Sequence, residues 1–513
     1  MTVTRERLDR SAIQTRAGRV RRLARIMMRS GLLMSVCGSF SSQANAQKVP
    51  VHPNGPFATV AVKENLPAPE DRVGFPDHWS TIYQSPNRNA DHPISGAMPA
   101  WLKQGVTWQF AEARAWPLDQ PAFDADALGA KGAETTAAQW MGNAVGVSVA
   151  QGMVFAASSD QFIYAINAKT GQLVWRASPV PTTWMGQPLV SGSLVFANAG
   201  TVGFNYSNVQ QFGKTGSAVR GAGVAYNGVY AFDRDSGALR WRYATVGDVM
   251  PTPAIDGQQL VLSDGSGTVT ALDVSSGHKR WFAALGGMGN MSSPAIDGGT
   301  IFVGMASPAY LFALDSETGR QLWKATLPKA SNTGMGDVTP AVADGVVVTD
   351  AVSDAKTVGS KTTMNFTIGA FSAQTGKLLW TYLAGRGTKP PSYKGGAPMI
   401  HDGVVYVGSP VDNSYQALDL KTGKLLWTWK IPNPSEASSG RGPPAFHDGK
   451  LFITTGPSIY ALDPQTGRLL AMKTFGGRFG IAGPTIVGGT LYTANTWDWV
   501  LATPVSSILA STH

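Results

Sequence analysis

From about residue 140 onward, apolar and polar positions alternate with period two in short runs, and each run is broken at a glycine or Asp-Gly pair. Such alternation predicts half-buried β-strands joined by tight turns. The runs recur as one unit. The pattern Ala, apolar, Asp or Asn, two residues, Thr or Ser, Gly, three residues, Trp opens at Ala165, Ala231, Ala271, Ala313 and Ala417 and closes at Trp175, Trp241, Trp281, Trp323 and Trp427. The copy from Ala370 to Trp380 carries Ser372 at the acidic position, and the copy from Ala461 ends in Ala471 instead of Trp. Each unit reads as four strands, the third and fourth joined by an Asp-x-x-Thr-Gly turn in which Asp and Thr bond nearby backbone and Gly accepts positive φ. The closing Trp is placed to wedge between neighbouring sheets.

The last unit supplies only three strands before the chain ends. A Trp-bearing segment at 105–110 lies ahead of the first complete unit and predicts the missing fourth strand. Pairing it with the last unit closes a ring and removes exposed sheet edges. The expectation is therefore an all-β, eight-bladed β-propeller over residues 104–507, preceded by a leader (1–46) and an N-terminal extension (47–103), and followed by a short tail (508–513). The repeat Trp residues from Trp108 to Trp427 are 67, 66, 40, 42, 57 and 47 residues apart. The excess marks three insertions, at about 111–138, 201–225 and 353–366, read as loops that cover a cavity or meet a partner.

Composition narrows the class. The chain has 513 residues, 59 Gly, 15 Trp and only 15% charged residues, which excludes disorder, collagen and coiled coil and points away from a helix-rich enzyme. Its formal charge of +9 points to nucleic acid until it is located: residues 1–46 hold nine Arg and two acids, leaving 33 bases against 31 acids. A near-neutral body carries no polyanion-binding signature. The basic start, the apolar run at 31–37 and the small residues Ala44 and Ala46 form a secretory signal peptide, with Met27 or Met28 as alternative starts. The sole cysteine, Cys37, falls inside it. The expected mature protein thus has no disulfide or thiolate metal site, no membrane-spanning stretch, and a periplasmic or extracellular location.

Candidate chemistry comes from comparing the repeats with one another. Three residues ahead of the Pro that opens each inner strand stand Ala144, Met185, Met250, Met291, Asp337, Gly395, Arg441 and Ile481. A ring rich in methionine suits a soft, polarisable ligand. Asp337, in Gly-Met-Gly-Asp-Val-Thr-Pro, breaks the pattern of its own repeat. Arg441, Lys394 and Arg478 supply cationic candidates on the same face, and Asp248 lies two positions further out. The seven histidines have no metal-ligand spacing, and no nucleophile elbow, phosphate loop or zinc motif occurs.

The repeat Tyr-Ala-Leu-Asp-x-x-Thr-Gly-x-x-x-Trp resembles that of the pyrroloquinoline-quinone-like propellers. Within that superfamily the chain is most similar to the tetrathionate hydrolases of acidophilic sulfur-oxidising bacteria, through its length, exported leader, insertions and the motif around Asp337. The resemblance implies a cofactor-independent hydrolase cleaving tetrathionate to thiosulfate, sulfate and sulfur in acid. It further implies Asp337 as the essential acid and a homodimer formed through insertion loops. The substrate is a dianion with a sulfur chain between two sulfonates, so Arg441, Lys394 or Arg478 would meet its ends and Met185, Met250 and Met291 its middle. An Asp of ordinary pKa near 3.9 is about half protonated at pH 4 and can serve there as general acid. Two other branches give the alternatives: a non-catalytic periplasmic binding or assembly propeller, and a quinone-dependent dehydrogenase, whose vicinal cysteine pair is missing here.

Overall fold

The computed structural model describes residues 60–72, 108–111, 146–158, 162–180, 183–200, 215, 219–222, 225–289, 291–331, 335–359, 361–388, 396–432, 442–475, 479, 483–495 and 499–511. These form eight antiparallel sheets arranged as a β-propeller. Blade 1 comprises Val147–Ala150, Met153–Ala157, Ile163–Asn167 and Leu173–Ala177, and blade 2 Thr183–Ser191, Leu194–Gly200, Gly228–Asp233 and Leu239–Ala244. Blade 3 (Ala254–Asp256, Gln259–Ser263, Thr268–Asp273, Lys279–Ala284) and blade 4 (Ala295–Asp297, Thr300–Gly304, Leu311–Asp315, Gln321–Ala325) are the most regular. Blade 5 (Ala341–Ala343, Val346–Val358, Lys361–Ser372, Leu378–Thr388) has the longest strands. Blades 6 (Met399–His401, Val404–Ser409, Ser414–Asp419, Leu425–Lys430) and 7 (Ala445–His447, Lys450–Thr455, Ser458–Leu462, Leu469–Thr474) complete the run before closure.

Blade 8 closes the ring. Thr485–Val487, Thr490–Asn495 and Trp499–Pro504 are joined by Trp108–Ala111, with Trp108 opposite Ala502 and Phe110 opposite Val500. Blade 1 holds a fifth strand that sequence periodicity did not reveal. Val60–Ala61 pairs with its outer strand at Arg176 and Trp175. The segment beyond is tied down by Asn65 Nδ2 donating to the Leu173 carbonyl (2.8 Å) and by ion pairs Lys169–Asp71 (3.3 Å) and Arg72–Asp235 (3.0 Å).

Antiparallel connection gives the propeller two unlike ends. At the turn end, the third and fourth strands are linked by the repeat turns. The Asp315 carboxylate accepts from the Thr318 N–H (2.9 Å) and hydroxyl (2.6 Å), and Asp419 and Asp463 do the same with Thr422 and Thr466. Each closing Trp then reaches the next blade's turn. The indoles of Trp108, Trp175, Trp241, Trp281, Trp323, Trp380 and Trp427 donate at 2.7–3.2 Å to the carbonyl just after the turn's first residue. They lie on the turn glycine. A Cβ on Gly319, whose φ is +70°, would sit 2.4 Å from the Trp281 ring. Glycine is required there for both the left-handed conformation and the close approach. Only the step from blade 7 to blade 8 lacks a Trp, because Ala471 stands in its place. The short helix Val505–Leu509 packs against blade 7 there, with Ile508 fully buried in the shared apolar cluster and Lys473 donating to Ser507 Oγ at 3.0 Å.

The opposite end is reached by the links between second and third strands and by those between blades. The described parts of two insertions, around Arg220 and at 353–366, fall on the links between second and third strands, and the insertion at 111–138 lies outside the described residues beyond Ala111. The stretch 353–366 differs from a loop: it continues the second and third strands of blade 5 as one long hairpin, with Val352 opposite Phe366 and Val358 opposite Lys361.

Candidate functional site at the funnel end

Met335–Asp337 forms a single 3-10 turn leading into blade 5, and its backbone is clamped by blade 4. The Gly336 carbonyl accepts from the N–H groups of Met291 (2.7 Å) and Ser292 (2.9 Å). A Cβ on Gly336 would fall 2.3 Å from the Ala306 nitrogen, and one on Gly304 would fall 1.9 Å from the Met335 carbonyl oxygen. Met335 anchors the turn from below, fully buried beside Leu311, Leu327 and Val347. The motif around Asp337 therefore has a local cause: glycine allows the close approach of two backbones, and methionine fills the space beneath.

Two residues on, a belt of hydroxyls runs from blade to blade. The Ser293 N–H donates to Thr339 Oγ1 (3.2 Å), Thr252 N–H to Ser293 Oγ (3.0 Å), and Gln187 N–H to Thr252 Oγ1 (3.0 Å). Gln187 Nε2 then donates to the Val147 carbonyl (2.7 Å), which also accepts from Thr485 Oγ1 of blade 8 (2.8 Å). All of these residues are buried, so each bond satisfies a group that would otherwise cost about 1–3 kcal/mol. Sequence reasoning examined the position three ahead of each Pro and passed over this one. Gln187, Thr252, Ser293 and Thr339 each directly precede a Pro, which is the signal that finds them.

Met250 and Met291 are both covered, at 2% and 9% exposure. The Met250 sulfur lies against the guanidinium of Arg220, which comes from the end of the 201–225 insertion. Arg220 Nε is 3.0 Å from Asp248 Oδ1, and both side chains are buried. Their backbones interlock as well: Asp248 N–H donates to the Arg220 carbonyl (3.0 Å), and Arg220 N–H to the Gly265 carbonyl (3.1 Å). Removing one partner of such a pair costs about 3–5 kcal/mol, because the other charge is left buried. Asp248, a minor candidate by sequence, is thus the anchor of an insertion. Beside it Asp264 is raised to about 6 by burial, with Asp248 adding to the rise and the Ser266 hydroxyl and N–H opposing it. An acid titrating near pH 6 at this end is mostly protonated below about pH 5.

Of the other sequence candidates, Met185 lies in the first strand of blade 2, its backbone opposite Asn198, next to a register shift. The side chains of Met185 and Asp337 lie outside the described residues, as do Lys394, Arg441 and Arg478 entirely. The structure brings together the backbones of Asp337 and Met291, and Met250 with Arg220. Among the described residues no group of three or more His, Cys, Asp or Glu is placed to hold a metal ion.

A family model described as outer membrane protein assembly factor BamB matches the chain repeatedly, at 108–292, 215–342, 283–441 and 416–502. A tetrathionate hydrolase from Acidithiobacillus ferrooxidans is 46% identical over 480 residues, covering 93% of this chain and 96% of that protein. A tetrathionate hydrolase from Acidianus ambivalens is 33% identical over 470 residues, with 85% of each chain covered. Among solved structures, the quinohemoprotein alcohol dehydrogenase from Comamonas testosteroni superposes with a TM-score of 0.54 at 12% identity, covering 85% of this chain and 81% of that one. At that identity the likeness concerns the fold alone.

Proposed function

The chain belongs to the tetrathionate hydrolases, within the pyrroloquinoline-quinone-like propellers, and on that premise we propose how and where it works. It is a hydrolase, and its substrate in this reading is tetrathionate, processed in acid outside the cytoplasm after removal of residues 1–46. No helix among the described residues is long and apolar enough to cross a membrane. Water attacks one sulfonate sulfur and the adjacent S–S bond breaks. Tetrathionate and water give sulfate, a disulfane monosulfonate anion and two protons, and that anion then yields thiosulfate and sulfur. Asp337 acts as general acid, delivering a proton to the sulfur that leaves. Lys394, Arg441 and Arg478 hold the sulfonates, Met185 faces the sulfur chain while the covered Met250 and Met291 back that wall, and the insertions join two copies in a homodimer.

The observation that carries the reading is the clamped turn at Asp337. A catalytic acid needs a fixed backbone, and two blade 4 N–H groups on the Gly336 carbonyl provide one. The test is loss of tetrathionate and release of thiosulfate and sulfate by the purified mature protein, without added cofactor, at about pH 3–4 and pH 7. Turnover confined to acid supports the reading. Absence of turnover by protein that is folded at both pH values, or turnover only after addition of pyrroloquinoline quinone and an alcohol, overturns it.

A further inference from the structure

Asp350 is a fully buried carboxyl in a strand that otherwise reads as core. It stands on the second strand of blade 5 opposite Ile368. Strand alternation places it between Val348 and Val352, in the apolar seam that Ile400, Val405 and Val407 of blade 6 complete. It is 0% exposed, and neither carboxylate oxygen accepts a hydrogen bond from a described residue. An ionised carboxylate there would need donors, and none of these neighbours offers one.

The other blades show what this position does. Counted from the turn that joins first and second strands, Asp350 is the fifth residue, and the other seven blades place Ala, Asn, Ser, Gly, Gly, Thr and Ala there. Where that residue is Asn198, its Nδ2 donates across the seam to the Pro251 carbonyl (2.5 Å). Where it is Ser263, its hydroxyl donates to the Ser292 carbonyl (3.3 Å). Both acceptors belong to the lead-in of the next blade's inner strand. The equivalent carbonyl ahead of Asp350 is that of Gly396, itself buried. A carbonyl only accepts, so a carboxyl serving it must carry its proton.

We propose that Asp350 is a positioning residue of the hydrolase, an uncharged carboxyl that donates across the seam between blades 5 and 6 and fixes the lead-in of blade 6 beside that of blade 5. In blade 5 Ala341 stands opposite Val348, so Asp350 lies two residues past the last ladder pair, toward the end from which the turn at Asp337 enters the blade. Burial alone pushes its pKa well above the usual carboxylate range. On the elements packed against it, Ile368, Ile400, Val405 and Val407 do not titrate, and Tyr382, two strands away in the same sheet, is itself raised by burial and neutral in acid. Asp337 and Lys394 flank the row in sequence, with side chains outside the described residues. The catalytic part of the proposal rests on the tetrathionate reading; the protonation of Asp350 does not.

Asp350→Asn keeps the shape and donates at every pH, whereas Asp350→Ala leaves the acceptor unmet. In the mature protein, Asp350→Asn should retain activity within about twofold at pH 3–4 and keep it to higher pH than wild type. Its melting temperature should exceed that of wild type by a margin that grows from pH 4 to pH 7, since only the wild type must bury a group that ionises when unfolded. Asp350→Ala should lose about tenfold or more in kcat with KM little changed. Infrared difference spectra, wild type minus Asp350→Asn at pH 6, should show a protonated carboxyl band. A failure of Asp350→Asn to fold, a margin that is flat or widens toward acid, or a carboxylate band at pH 6 each overturns the proposal. The melting and infrared arms need no substrate, so they decide the state of Asp350 even if tetrathionate is not turned over.

Discussion

The two ends of the propeller treat their aspartates in opposite ways. At the turn end, Asp273, Asp315, Asp419 and Asp463 are held below the usual carboxylate range by the hydroxyls of Ser275, Thr318, Thr422 and Thr466, aided by turn N–H groups. At the funnel end, burial pushes Asp264 up to about 6 and holds Asp350 well above the usual carboxylate range. Donors at the surface keep charge on the first set in acid, and apolar walls keep protons on the second. The same residue type thus serves as an acid-resistant staple at one end and an uncharged polar group at the other. A propeller built this way loses little of either contribution as pH falls from 7 to about 4.

Four changes would break or sharpen the contrast. The largest effect belongs to Asp337→Asn, which should reduce tetrathionate turnover by about 10³-fold or more without moving the melting temperature; a near wild-type rate would remove Asp337 from the chemistry. Next, Trp175→Ala at the turn end should cost about 3–5 kcal/mol in denaturant unfolding, since Trp175 is fully buried and locks blade 1 to blade 2. Turnover per folded molecule should be unchanged, which separates the ends by function. Asp264→Asn should stabilise the protein by an amount that rises between pH 4 and pH 6 and then levels, on the order of 2 kcal/mol. The sign follows from a raised folded-state pKa, whose contribution is full below the unfolded value and lost as pH climbs through about 6. Melting curves across that range check it. The smallest change is Asp273→Asn, under about 1 kcal/mol for so exposed a group. Its depressed pKa gives the opposite course: the deficit holds from pH 7 to about 4 and closes only below that.

The turn end was legible in the sequence because its causes are local. Asp, Thr and Gly within five positions make the turn, and a Trp four positions after the Gly completes the lock, so the motif could be counted by eye. Ring closure was legible for a related reason: three strands without a fourth demand a partner, and a Trp-bearing segment was available. Val60–Ala61 gave no such sign, being too short for periodicity to register. The funnel end was harder because its contacts join residues far apart in the chain. Arg220 lay in an insertion with no repeat to compare, and nothing in its neighbours announced Asp248 and Met250 as partners. Asp350 was hidden by the valines around it, although alignment of the second strands alone exposes it as the single ionisable residue in its row.

The pairing of Trp108–Ala111 with Trp499–Pro504 also sets an order in time. A chain made from its N-terminus produces one half of the seam first and must add roughly 390 residues before the other half exists, about 20–80 s at ordinary rates of synthesis. Blade 8 cannot be assembled on the ribosome in step with the others. A product that stops short of its last strand leaves Trp108 without the strand beside it, so closure of the ring amounts to a proofreading of length.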